Sequence, residues 1–408
     1  MSLKILYITP EPCPTFRADV VTLFGKYLPR HGIHSDIVTS ESLDETTGKT
    51  WNGGKAILCS PETTKLKKHI SSPLHNIKQL LLAKRKDYQA IQIRDMPILS
   101  LFALLIARWK RIPFFYWMSF PIPESHIARA KKRGTKSGIF NYLFHHAVGK
   151  TGQFILYKIV LPRSDHVFVQ SEQMKNDMKI HKIEDKHMTP VPMGVDFSKL
   201  NQLDFPSINT TESKGDRKLI YLGAMERVRN IEVLLDMMAF ITKKKSDVVL
   251  LMVGGTDDKP YYTSLKQKAE LLGISDNVIW TDWLSTEEAW EYIYSADIGL
   301  SPFPRSFVLD SCSPTKIIEY MAFSLPVVCN DNPDQKTIID ACEGGICTQY
   351  DAESFANAVI SILNMDGHTR SDMANRGKKY VESQRDYKHI SSSLAQTYKQ
   401  LLSVENLN

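Results

Sequence analysis

The 408 residues exceed what one ordinary hydrophobic core needs and are enough for two domains. A hydrophobic content of 43% with 10% aromatics excludes a disordered or fibrous chain, and no apolar run reaches the roughly 18 residues of a membrane-spanning helix. The formal net charge of +6 is modest, and six cysteines without CxxC or zinc spacing exclude a disulfide scaffold or zinc module and predict reduced thiols in a cytoplasmic protein.

The opening MSLKILYITP reads as a strand over 3–9, not as a signal peptide. A proline-rich turn follows, then a helix from about Ala18 to Arg30 and a second strand in HSDIVTS. This βαβ beginning predicts a parallel sheet covered by helices on both faces. The turn after the first strand has no glycine; its polar candidates are Arg17 and Asp19, with plain solvent-exposed loop charges as the alternative. Residues 41–75 form a polar excursion, followed by a helix over 77–86 and a strand over 90–93. The ten-residue, mostly apolar run Ile98–Ala107 fits a buried helix, and 113–118 a further strand. Ligands of such sheets sit beyond the carboxyl ends of the strands, which singles out Arg94, Asp95, Trp117, Ser119 and Glu124.

Residues 125–164 contain no Asp or Glu but eight Lys and Arg, so taking those eight from +6 leaves the rest of the chain at −2. Phe, Tyr, Leu and Ile interleave with the cations in GIFNYLFHHAVGKTGQFILYKIVL. That pattern suits an interfacial helix on an anionic membrane surface, with a core helix bearing a basic edge as the alternative. No recognition motif accompanies it that would point to nucleic acid. Ser171 is placed to cap a helix whose buried face carries Met174 and Met178. The polar tract 208–218 then marks a boundary, predicting domains over 1–194 and 195–384.

Strand–helix alternation restarts with LIYLGAMERVRN, 219–230, and VVLLMVGG, 248–255, whose Gly254 and Gly255 permit close backbone approach to a ligand. No G-x-G-x-x-G follows the first strand, which argues against a dinucleotide-binding dehydrogenase. In SPTKIIEYMAFSLPVV, residues 313–328, a helix feeds directly into a strand. Lys316 and Glu319 project from its first turns, where free N–H groups and the helix dipole favour a phosphate. Spacing alone allows a capped helix with an i,i+3 salt bridge as well. Ser311, Ser313 and Thr315 are further candidates to hold phosphate.

The 313–328 segment resembles the nucleotide-sugar-binding segment of family 4 glycosyltransferases, and SPTK…EYMA and the PDQ at 333–335 resemble the bacterial exopolysaccharide subgroup. The resemblance implies an α/β, GT-B architecture: two Rossmann-like domains facing a cleft, with a segment 385–408 that is helical and packs back on the N-terminal domain. Of the family's two glutamates eight residues apart, Glu319 matches the ribose-binding second, and the first falls on Ser311. The diphosphate-binding Lys matches Arg229, the partner Arg position is Ala224, and Arg227 is an added cation. Trp283 and Leu284 fall where the family contacts the base through the backbone.

The implied reaction is retaining, metal-independent transfer from a nucleotide diphosphate sugar, UDP-sugar favoured, with no cofactor beyond that co-substrate. Arg229, Lys316 and Glu319 carry it, and closure about a linker near Val195 excludes water. The expected acceptor is a glycan or a polyprenyl-diphosphate-linked glycan, approached from a peripheral position on the inner face of the cell membrane. The alternatives are a non-catalytic nucleotide-sugar-binding subunit and a nucleotide-sugar epimerase of the same fold.

Overall fold

A computed structural model describes residues 2–15, 17–42, 51–60, 65–134, 138–203 and 217–404. Most of the polar boundary tract, residues 208–216, lies outside these, as does Lys136 of the basic segment. The chain divides into two compact units, one made of Met1–Met193 with Tyr387–Asn408, the other of Gly194–Asp386.

In the first unit, seven parallel strands are ordered β3-β2-β1-β4-β5-β6-β7. They are β1 (Leu3–Ile8), β2 (Ile33–Ser40), β3 (Ala56–Cys59), β4 (Ala90–Arg94), β5 (Phe114–Met118), β6 (His166–Val169) and β7 (Met188–Pro190). Side chains alternate across a strand, so each central strand feeds two cores. Leu6, Ile8, Ile91, Ile93, Phe114 and Tyr116 pack on one face beneath α1 (Lys65–Leu82) and α2 (Pro97–Lys110). Ile5, Tyr7, Phe115, Trp117 and Phe168 pack on the other. There the helix Tyr387–Val404 contributes Tyr387, Leu394, Ala395, Tyr398 and Leu402, so the C-terminal segment does return to the N-terminal unit.

Three local expectations are corrected. The helix after β1 is π-wound over Asp19–Tyr27 and tightens into a 3-10 turn, Leu28–His31, ended by Gly32 in the left-handed region. The returning helix starts at Tyr387, not Arg385, because Arg385 caps the preceding helix, Gly367–Gln384, while its carbonyl accepts the Val195 N–H at 2.8 Å and Asp386 bridges to Val195. The apolar run Ile98–Ala107 is not buried all round. Leu99, Ala103, Leu104 and Ala107 fill the core, but Ile98, Phe102 and Leu105 are 56%, 46% and 61% exposed on the opposite face of α2. Among the described residues no helix is long and apolar enough to cross a membrane.

The second unit repeats the plan with six parallel strands in the order β10-β9-β8-β11-β12-β13. They are β8 (Arg217–Leu222), β9 (Val248–Val253), β10 (Val278–Trp280), β11 (Ile298–Ser301), β12 (Val327–Asn330) and β13 (Gly345–Thr348). All six residues of β9 are buried, as expected of a central parallel strand covered on both faces. In each unit the strand order reverses once, between β1 and β4 and between β8 and β11. Loops leaving the sheet at such a point diverge and open a crevice.

Candidate active site

The crevice of the second unit is built where the loops after β8, β9 and β10 meet the Thr315–Ala322 helix. Gly223 follows β8 at φ 138°, and a β-carbon there would lie 2.8 Å from Lys316 Cε. Gly254 follows β9 at φ 123°, with its would-be β-carbon 2.5 Å from the Gly223 carbonyl oxygen. Both need the left-handed backbone and the absence of a side chain. The Gly254 N–H donates to Thr281 Oγ1 at 3.0 Å, and Gly255 packs against Asp282 and Trp283, so the base-side loop is locked to the same edge. Leu284 lies next to Trp283 in this loop, which ends at the capping box of Ser285 and Glu288.

The Thr315–Ala322 helix is fixed from beneath. The buried Tyr320 hydroxyl accepts the Leu222 N–H at 2.8 Å and reaches the Leu300 carbonyl, tying the helix to β8 and β11. No side chain caps its first turn, and Pro314 precedes it, so its N–H groups remain open to a ligand. Among the described residues no ion pair within 4 Å joins Lys316 to Glu319, which removes the simple salt-bridge alternative.

Lys316 is buried, with Nζ 5.3 Å from the Tyr221 ring centroid and 5.9 Å from that of Phe303. Arg229 lies across the same Phe303 ring at 5.9 Å and is paired loosely with Glu226 at 3.4 Å. Burial, with the positive charge of Arg229 added, holds the Lys316 amine well below its ordinary range, despite the opposing pull of Glu319 and Glu226. Burial likewise pushes the half-buried Glu319 carboxyl up, with Lys316 acting against it. Two basic side chains, Lys316 and Arg229, thus meet beside the first turn of an uncapped helix, an arrangement that suits an anion.

Arg227 is directed elsewhere. Its guanidinium pairs with Asp258 at 2.6 Å and stacks 4.7 Å over Tyr261, next to the Lys259–Leu271 helix that Asp258 caps. The three serine and threonine candidates also differ. Ser311 is buried and donates to the Phe307 carbonyl at 3.0 Å. Ser313 donates to Asp334 at 2.7 Å, and Asp334 binds the buried Arg385 at 2.7 Å, so Ser313 anchors the loop. Thr315 stands at the helix start, partly open.

Several contributors were not singled out from the sequence. Gly223 shows only as a glycine after a strand, a signal that was available. Phe303, the ring shared by Lys316 and Arg229, is clasped by Asn330, which accepts the Phe303 N–H at 2.7 Å and donates to its carbonyl at 2.8 Å. Gln335 in turn donates to the carbonyls of Ser301 and Asn330. Asp334 and Gln335 of the PDQ run thus brace the walls of the site.

In the first unit, Asp19, Arg94, Asp95 and Ser119 converge at the β1/β4 reversal. Asp19 is buried, not a loop charge, and accepts from Arg94 Nη1 at 2.6 Å; Arg94 is 1% exposed. Asp95 sits in the left-handed region at φ 51°, accepts the Ser119 N–H at 2.8 Å and also accepts the Ser119 hydroxyl. Burial raises its carboxyl above the usual range, against the pull of Arg94. Arg17 stays at the surface, half exposed and paired with Glu11 at 3.1 Å. Trp117 is part of the core, and Glu124 accepts from Gln153 at 2.8 Å.

The basic segment forms α3 (Ile122–Arg133) and α4 (Ile139–Phe154), packed closely through Gly149 and Gly152. A β-carbon at Gly149 would meet Ile127 at 2.5 Å. Arg129, Lys131, Lys132 and Lys150 are exposed, and so are Ile139, Phe140, Leu143 and Phe144.

Residues 207–380, which make up most of the second unit, match the family described as glycosyl transferases group 1. The alpha-monoglucosyldiacylglycerol synthase of Streptococcus pneumoniae (strain ATCC BAA-255 / R6) is 25% identical over 313 residues, covering 72% of this chain. The chain spans 64% of that relative's length. Sucrose-phosphate synthase from Thermosynechococcus elongatus superposes with a TM-score of 0.72 at 17% identity, over 98% of this chain and 100% of that one. HepE from Anabaena, in complex with UDP and glucose, gives 0.71 at 12% identity over the same shares. The fold is therefore GT-B, with two Rossmann-like units.

Proposed function

We propose that this chain is a retaining glycosyltransferase that moves a sugar from a nucleotide diphosphate sugar, with a UDP-sugar favoured, to a lipid-linked glycan acceptor in surface polysaccharide or glycolipid synthesis. The observation that carries the proposal is the convergence of Lys316 and Arg229 on one ring, Phe303, with Lys316 standing in the first turn of the uncapped Thr315–Ala322 helix. Cleavage of the donor's sugar–phosphate bond leaves negative charge on the diphosphate. Groups already aimed at that charge lower the barrier without reorganising. The diphosphate favours the charged form of Lys316 against its burial, Arg229 grips phosphate oxygens, and Glu319 accepts hydrogen bonds from the ribose. These cations take the role a metal ion plays in other transferases.

The HepE complex with UDP and glucose supports the choice of donor, and the diacylglycerol-glycolipid synthase supports a lipid acceptor. The acceptor side is Asp95, Ser119 and the loops around them, stiffened by the Arg94–Asp19 pair. The exposed cations and aromatics of α3 and α4 hold the enzyme to an anionic leaflet on the cytoplasmic side. A non-catalytic sugar-nucleotide-binding subunit is the second reading, favoured by Ala224 and Ser311 where the family resemblance expects Arg and Glu. Thermal stabilisation by UDP, GDP, ADP, CMP and NAD tests the donor site. A shift with one nucleoside diphosphate that vanishes in Glu319→Ala supports it, and no shift with any overturns it. Transfer of labelled sugar to a membrane lipid extract separates enzyme from binding subunit.

A further inference from the structure

Bordering the strand-end residues of the first unit, through Met96 next to Asp95, a groove of about 550 Å³ lies among α1, α2, α3 and α4. Its size falls within the roughly 300–1,000 Å³ of pockets that hold small ligands. Ile77, Ile98, Phe102, Ile122 and Val148 give it an apolar wall. Two helices carry that wall outward without a break. On α2, Ile98, Phe102, Leu105 and Trp109 recur at helical spacing, and all four are exposed, Trp109 at 74%. On α4, Phe140 and Phe144 precede Val148 and Gly152 at steps of four, and both phenylalanines are exposed. Aligned apolar surface of this extent is uncommon on a protein that meets only water.

Charge defines the occupant. Arg129, Lys131 and Lys132 on α3 and Lys150 on α4 are exposed on two of the helices that line the groove, in a stretch with no acidic residue from 125 to 164. The wall itself holds three polar side chains, Ser72, Asn76 and His126. His126 Nδ1 is 3.4 Å from His145 Nδ1. Asn76 is 3% exposed, and its Oδ1 has no hydrogen-bond partner among the described residues. A buried amide oxygen left so costs free energy until a ligand hydroxyl or other donor meets it.

We propose that this groove binds the hydrocarbon chain of an anionic membrane lipid, which enters along the α2 and α4 stripes while the surrounding cations hold its phosphate. The proposal deepens the lipid-acceptor reading and rests on it only for the statement that the bound lipid is the acceptor. A chain that slides from the bilayer along continuous apolar surface never crosses water, so entry carries little desolvation cost.

Dodecyl phosphate, kept below its micelle concentration, is titrated calorimetrically into the full chain, with inorganic phosphate as the control. Dodecyl phosphate is expected to bind and inorganic phosphate not to. Val148→Trp, which fills the groove, and Phe102→Glu, at its exposed mouth, are each expected to weaken binding at least tenfold with an unchanged melting temperature. Unchanged affinity in Phe102→Glu, or equal binding of inorganic phosphate, overturns the proposal. Groove-dependent binding with no sugar transfer to lipid supports the groove and sinks the acceptor reading instead.

Discussion

Lys316 Cε stands 2.8 Å from the point where a side chain on Gly223 would begin. The lysine stem therefore lies on bare backbone, and its ammonium is aimed by the end of β8 as much as by its own helix. Gly223→Ala would strain a left-handed position at φ 138° and push Lys316 aside. Its stability cost is about 1–3 kcal/mol. UDP affinity should fall at least tenfold, more than stability explains, and calorimetric titration checks this.

Donor binding should take up a proton. Burial and Arg229 keep the Lys316 amine below its ordinary value of 10.5, and an arriving diphosphate raises it again, so at a pH between the two values binding is coupled to proton uptake. Titrations of UDP in two buffers of different ionisation enthalpy should show the uptake, and Lys316→Met should abolish it together with most of the affinity.

The same group makes stability depend on pH. Between its lowered folded value and 10.5 the unfolded chain holds a proton there that the folded chain does not. Stability of the wild type relative to Lys316→Met should therefore rise with pH through that window and level off above 10.5. Paired melting curves from pH 7 to 10 read this directly.

Asp19→Asn should be severely destabilising. It leaves the 1%-exposed Arg94 guanidinium without its 2.6 Å partner, and breaking a buried pair from one side costs about 3–5 kcal/mol. Urea unfolding measures it; a change below 1 kcal/mol would show that water reaches Arg94.

Charge reversal at Lys131 and Lys132 should release the protein from anionic vesicles in co-sedimentation while leaving UDP binding intact. Binding should also weaken with salt in the unaltered protein. Unchanged sedimentation of the reversed variant would move the membrane contact elsewhere.

The sequence revealed what local chemistry encodes. VVLLMV reads as a central strand because a strand covered on both faces must be apolar throughout, and Lys316 and Glu319 read as one helical edge because i and i+3 share a face. What escaped reading depended on partners far along the chain. Arg227 is drawn away by Asp258, 31 residues on, and Asp19 is buried by Arg94, 75 residues on. A sequence window contains neither partner. The apolar run of α2 misled for a different reason: a mostly apolar helix looks the same whether its outer face meets protein, lipid or water.

The Tyr387–Val404 helix covers aromatic residues of β5 and β6, with Tyr398 packed on Phe115 and Phe168. During translation, the sheet of residues 3–190 therefore emerges from the ribosome long before the segment that covers this face. Until then Phe115, Trp117 and Phe168 lack part of their cover, and the nascent chain presents a sticky aromatic surface to chaperones. A ribosome stalled anywhere in the second unit would hold the first in that unfinished state.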